Sequence, residues 1–91
     1  MFIVVSYDIS NDKRRNKIFK VLKDYGQWIQ YSIFECGLEQ KEYLKLRSRL
    51  NQLIDEEAGD SIRFYFLCEH CTNKVERIGG IEEMDKNTII I

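Results

Sequence analysis

Residues 1–9 read MFIVVSYDI, an apolar, β-branched run in which Phe2, Ile3, Val4 and Val5 are contiguous and which stops at the polar pair Tyr7-Asp8. Such a run predicts a strand buried on both faces and therefore central in its sheet. Asp8 then stands where the central strand emerges. A carboxylate at a rigid strand end is well placed to hold a metal or a proton, because the strand positions it and the rim keeps it reachable. The same position also suits a turn residue or the cap of a following helix.

Working outward, Ser10-Asn11-Asp12 is a cluster of capping residues, and Ile18, Val21, Leu22 and Tyr25 follow at the i, i+3, i+4, i+7 spacing of one helix face. Gly26 is expected to end this helix in a left-handed conformation. Lys13, Arg14, Arg15 and Lys17 crowd its first turns beside Asp8. Basic residues at a helix N-terminus oppose the macrodipole, so helix stability explains them poorly; contact with phosphate is the favoured reading and a solvated face the alternative.

Residues 27–38, QWIQYSIFECGL, are rich in β-branched and aromatic types and predict extended structure, either one long bent strand or, the favoured reading, two strands that meet near Tyr31-Ser32, with Gly37 marking a bulge or an end. From Gln40 to about Ala58, Tyr43, Leu46, Leu50, Leu53 and Ile54 recur at helical spacing, which predicts a second helix. Glu56 to Asp60 breaks it, and residues 61–67, SIRFYFL, form a further strand with Ile62, Phe64 and Phe66 on one face. The order β, α, β, β, α, β is that of an α+β ferredoxin-like sandwich, with two helices on one face of an antiparallel sheet.

That unit is complete at Leu67, so residues 1–67 form the domain and 68–91 an extension. Residues 68–85 look turn-like. The apolar terminus Thr88, Ile89, Ile90, Ile91 would be hazardous as an exposed edge and is expected to pair with the sheet of a second protomer. Proline is absent from the chain, so nothing forbids the hydrogen bonds this pairing needs.

At 91 residues with 44% hydrophobic and 32% charged content, the chain is a single soluble globular domain rather than a disordered one. No segment is long enough to span a bilayer, and the start lacks the features of a secretory signal, so a cytoplasmic location without membrane contact is expected. The net charge of −1 hides a gradient: residues 1–30 hold six Lys/Arg against three Asp/Glu, and residues 51–91 hold four against nine. Local charge governs binding to a polyanion within a Debye length of about 8–10 Å, so the N-terminal half remains able to hold phosphates.

Cys68-Glu69-His70-Cys71 has the outline of a metal or redox motif. Structural zinc needs four N/S ligands, and the remaining candidates reduce to Cys36, since His70 is the single histidine. Ordinary loop residues in a reducing compartment account better for these cysteines. Asp8 is therefore the best acid. One carboxylate holds a hard divalent ion poorly, but in a two-fold dimer two copies of Asp8 can face each other and share Mg²⁺ with retained waters. Such an ion can activate water against a phosphodiester, with Arg14 and Arg15 holding the strand. Ser6 and Tyr7 flank the site, while Tyr31 and Phe34 read as core residues or as the lining of a groove or dimer interface.

These blocks together, the strand ending Tyr7-Asp8-Ile9, the Arg14-Arg15 helix start, Gly26, Gln30-Tyr31-Ser32-Ile33-Phe34-Glu35 and Asp60-Ser61-Ile62-Arg63-Phe64-Tyr65, resemble the CRISPR-associated protein 2 family over nearly the whole chain. The resemblance implies a ferredoxin-like homodimer whose C-terminal strands cross to the partner. It implies a part in spacer acquisition, bridging dimers of the CRISPR integrase and supporting the incoming DNA. It also implies metal-dependent endonuclease activity, on RNA in some members and double-stranded DNA in others, with Asp8 as metal ligand. Members often carry Arg two residues after the helix-ending glycine, where this chain has Trp28. Two readings follow, a Mg²⁺-dependent nuclease and a non-catalytic scaffold that holds DNA between integrase dimers. A third is a domain that only dimerises or regulates a partner.

Overall fold

A computed structural model of the protein describes residues 1–80. The elements run β1 (Phe2–Asp8), α1 (Asp12–Lys23), β2 (Gln27–Gln30), β3 (Ile33–Gly37), α2 (Gln40–Leu53), a short 3₁₀ turn at Glu56–Ala58, β4 (Ser61–Leu67) and α3 (Glu69–Thr72). The strands lie in the order β2-β3-β1-β4, with every neighbouring pair antiparallel. This is the expected ferredoxin-like sandwich, and β1 is interior to the sheet as its apolar sequence requires. The proposed dimer-crossing residues Thr88, Ile89, Ile90 and Ile91 lie outside the described residues.

The core forms between the sheet and α1 and α2. Ile3, Val5 and Tyr7 of β1 and Phe34 and Cys36 of β3 meet Ile18 and Leu22 of α1 and Tyr43, Leu46 and Leu50 of α2. Alternation along β1 leaves Val4 and Ser6 half-buried and Asp8 exposed on the other face. The expectation of a strand buried on both faces is thus corrected. Within one chain α1 and α2 cover one face of β1; on the other, Phe2 is buried near α3 while Val4, Ser6 and Asp8 lie more open.

Local chemistry explains the boundaries. Asn11 caps α1 by accepting the Arg14 N–H at 2.9 Å. At α2, Glu39 and Glu42 form a reciprocal capping box. This helix ends at Leu53 rather than near Ala58, since the backbone of Ile54 is extended and the acidic run beyond it folds as a 3₁₀ turn closed by left-handed Gly59. The segment after β4 carries the helix α3, where turns alone were expected.

Gly26 corrects a second expectation. It is absent from the positive-φ residues, and α1 ends with Asp24 in a right-handed conformation. What requires glycine is proximity: a Cβ at position 26 would lie 2.5 Å from the Glu35 carbonyl oxygen and closer still to Cys36 Sγ. The start of β2 is pressed on the β3 backbone, so an added methyl must move a strand. We expect Gly26→Ala to lower unfolding stability in urea by about 2–3 kcal/mol, the upper range for overpacking, while Gly59→Ala, which meets nothing within 4 Å, costs about 1–2 kcal/mol through left-handed strain alone. Reversal of that order would remove the close approach as the reason for Gly26.

Candidate functional site

Asp8 closes β1 on the open face and stands opposite Ser61 of β4 in the antiparallel register. A cavity of about 250 Å³ lies here, bordered by Ser6, Tyr7, Asp8, Ser61, Arg63 and Tyr65. The parity of the two strands assembles it: Ser6 and Asp8 alternate with the core residues of β1, and Ser61, Arg63 and Tyr65 alternate with Ile62 and Phe64 of β4. The Arg63 guanidinium leans along its own strand and donates to the Tyr65 hydroxyl at 3.4 Å. Among the described residues, no group of three or more His, Cys, Asp or Glu is arranged to hold a metal ion. Among the described residues this cavity offers a single carboxylate, with the hydroxyls of Ser6 and Ser61 also in its lining. This hard oxygen set suits a cation that keeps most of its waters or is shared with a second copy.

Several expected partners of Asp8 lie elsewhere. Tyr7 borders the Asp8 cavity but follows the opposite parity, so its ring is buried against that of Phe34, with centroids 6.3 Å apart. Burial pushes its phenol above the usual tyrosine range, against the opposing pull of a Ser32 hydrogen bond and the Arg15 charge. Phe34 is fully buried and takes no part in an open groove. Tyr31, expected mainly as core, is instead 87% exposed at the two-residue hairpin tip, with φ of 45°. The hairpin turn breaks the alternation that a single extended strand would have continued, and this turns the Tyr31 ring outward.

The basic helix start divides into two kinds of residue. Arg14 points to the loop before β4: its Nε donates to Asp60 Oδ2 at 2.6 Å and its Nη2 to Oδ1 at 3.0 Å. The Asp55 N–H donates to the same carboxylate at 3.0 Å. Asp60 is buried, and the Arg14 side chain is only 23% exposed. Arg15 donates to the Ile9 carbonyl at 3.0 Å and to Asp12 at 2.5 Å, which clamps the loop after Asp8. Both arginines, read from sequence as phosphate ligands, thus hold the backbone on either side of the Asp8 rim. Lys13 and Lys17 are exposed, and among the described residues no ion pair engages them.

The cysteines divide as well. Burial, helped by Glu35, pushes the Cys36 thiol up to about 12, so it is inert. Cys68 caps α3 by accepting the Cys71 N–H at 3.4 Å, and this bond together with one from the Cys71 thiol holds Cys68 below the usual thiol range. Sequence reasoning missed Asp60, Ser61, Arg63 and Tyr65. The signal for the last three was the polar parity of β4; the pairing of Arg14 with Asp60, 46 residues away, had no local signal.

A ferredoxin-like α+β domain with a carboxylate on the open end of its central strand is the class that fold and site define. The chain belongs to the family described as CRISPR associated protein Cas2, whose sequence model matches residues 1–75. A relative from Chloroflexus aurantiacus, named CRISPR-associated endoribonuclease Cas2 1, is 52% identical over 79 residues, covering 87% of this chain and 85% of the relative. The crystal structure of Streptococcus pyogenes Cas2 at pH 6.5 superposes with a TM-score of 0.76 at 39% identity, covering 87% of this chain and all of that one. A chain of a partial Cas6-RT-Cas1–Cas2 complex superposes with a TM-score of 0.74 at 25% identity, covering 92% of this chain and 93% of that one. No helix among the described residues is long and apolar enough to cross a membrane.

Arg14 holds the Asp60 carboxyl below its ordinary value of 3.8. In the unfolded chain this group protonates first as pH falls. The stability from the pair is therefore complete above the unfolded value and is lost as pH drops through the lower folded one. Urea midpoints followed from about pH 6 to about pH 2 should fall less steeply in an Arg14→Met/Asp60→Asn double variant than in the natural chain. Equal acid-side slopes would remove this pair from the acid response.

Proposed function

We propose that this protein acts in CRISPR adaptation as a homodimer associated with Cas1, and that it hydrolyses phosphodiester bonds of a polynucleotide at a site completed by two copies of Asp8. The observation that carries the hydrolytic reading is the exposed Asp8 carboxylate, fixed at the end of the interior strand on the open sheet face. The endoribonuclease name of the Chloroflexus relative supports the same chemistry, and the Cas1–Cas2 complex among the structural neighbours supports the partner.

Asp8 would hold the divalent cation, Mg²⁺ by the hardness of its oxygen donors, with Ser6 and Ser61 as adjacent hydroxyls. When bound, such an ion supplies Lewis acidity and lowers the pKa of water. The residues of the chain do the positioning: Arg15 fixes the turn that follows Asp8, and Arg14 fixes the loop that leads into Ser61. Lys13 and Lys17 meet the phosphates of the strand, since their ammonium groups are exposed and unpaired among the described residues. Their place on the first turn and a half of α1 puts positive charge next to the rim.

A second reading, a scaffold that holds protospacer DNA between integrase dimers without cutting it, is favoured by Asp8 being the single carboxylate among the described residues that line this cavity. Asp8→Asn separates the two. On the hydrolytic reading, cleavage of RNA or duplex DNA falls at least about a hundredfold, the several kcal/mol that metal assistance supplies, and chelator has the same effect. Spacer integration that survives this substitution in a reconstituted Cas1 complex would leave scaffolding as the biological role. For the polynucleotide surface, Lys13→Glu/Lys17→Glu should weaken duplex binding and reduce the log–log salt slope by about 2, one for each phosphate no longer neutralised. An unchanged slope would exclude that face of α1.

A further inference from the structure

On the α1 side of Tyr7, which also borders the Asp8 cavity, α1 and the β2–β3 hairpin border an open crevice of about 360 Å³, lined by Phe19, Trp28 and Tyr31 with Tyr7, Arg15 and Asn16 at its side. Tyr31 occupies the left-handed region, where glycine or asparagine would sit without strain and a bulky residue is an outlier. The Trp28 indole N–H donates to the Tyr31 carbonyl at 2.8 Å, and the Tyr7 N–H donates to the Ser32 carbonyl at 3.0 Å. The strained tip is thus fixed from both sides. Phe19 stands edge-on to Trp28 at 6.4 Å, which sets the indole plane, and the Lys23 ammonium lies 5.7 Å from the Phe19 ring.

Packing does not account for the exposed Tyr31 ring. Trp28 packs on Phe19 yet remains 39% exposed, and Tyr31 at the hairpin tip is 87% exposed, so the hairpin presents one partly covered ring and one almost wholly exposed ring, the latter at a strained backbone position. An exposed ring at Tyr31 and a half-covered one at Trp28, with no carboxylate among the lining residues and the Lys23 ammonium beyond Phe19, match one ligand chemistry well. A nucleobase offers a π-face whatever its identity, and the phosphate next to it carries the complementary charge. A paired base inside a duplex cannot offer that face.

We propose that the Trp28–Tyr31 crevice stacks an unpaired nucleobase of a DNA strand, with Lys23 meeting a neighbouring phosphate. This deepens the polynucleotide reading above and rests on it. It adds what the Asp8 rim and the α1 lysines do not provide, a preference for unpaired over paired regions of the bound nucleic acid.

Trp28 is the one tryptophan of the chain, so its emission reports on this crevice alone. The natural protein is titrated with an oligothymidylate of about a dozen nucleotides, with an abasic strand of the same length and with a blunt duplex. The base-bearing strand should quench Trp28 emission and bind at least about fivefold more tightly than the abasic strand. Tyr31→Gly relieves the backbone strain and keeps the fold. It should lose the same factor for the base-bearing strand and leave abasic and duplex affinities unchanged, while Tyr31→Phe retains the effect. Equal affinity for base-bearing and abasic strands, or quenching that Tyr31→Gly does not alter, overturns the stacking site and leaves polynucleotide binding standing. Strand binding untouched by Tyr31→Gly together with failure to associate with Cas1 would assign the crevice to a protein partner and likewise overturn it. Failure of every strand to bind removes both readings.

Discussion

The Asp60 carboxylate is withdrawn from solvent and receives three donors, two from the Arg14 guanidinium and one from the Asp55 backbone. Desolvating a carboxylate is unfavourable unless each lone pair finds a donor, so the burial of Asp60 requires Arg14 to stand where it does. Much of the molecule follows from that requirement. It ties the first turn of α1 to the loop entering β4, two segments that flank the interior strand from opposite sides. β1 can then pair with β3 and β4 along its length with its end held in register, and Asp8 arrives at a rim whose two neighbouring loops are both anchored. A charge that looked like a phosphate ligand in the sequence is instead what builds the ground on which a phosphate ligand can stand.

The fold was legible because its signals are local and repeated. The contiguous apolar run of β1, the helical spacing of Ile18, Val21 and Leu22 and of Tyr43, Leu46 and Leu50, and the alternation of β4 each state their element within a few residues. The break near Tyr31-Ser32 was one of two readings that the pattern allowed. Errors arose where a residue serves a neighbour distant in sequence. Gly26 fits the usual rule for helix ends, yet its missing Cβ answers to the β3 backbone. Arg14 fits a reading by its neighbours in the chain, yet it answers to Asp60. Tyr31 fits an alternation that the hairpin turn interrupts.

The candidate site was half legible for a related reason. Asp8 could be placed from β1 alone, since a strand that turns polar at its end must emerge there. Ser61, Arg63 and Tyr65 join it only through the register of β1 with β4, which no single segment encodes. The aromatic crevice combines both kinds of information. Phe19 belongs to α1, whereas Trp28 and Tyr31 belong to a hairpin whose turn had to form before either ring could be located.

The alternation of β1 has a consequence for how this domain can change. Ile3, Val5 and Tyr7 face the helices and Val4, Ser6 and Asp8 face away, so the core and the carboxylate rim are written on one strand in opposite phases. Deleting or inserting one residue before Asp8 would exchange the phases, turning a phenol ring to the rim and a carboxylate into the core. A change of two would keep the phases and only shift the rim along the sheet. The strand therefore acts as a ruler graduated in pairs: insertions and deletions ahead of the rim are compatible with the core only in even steps, and chimaeras that splice this strand onto another body must preserve its parity before they preserve its sequence.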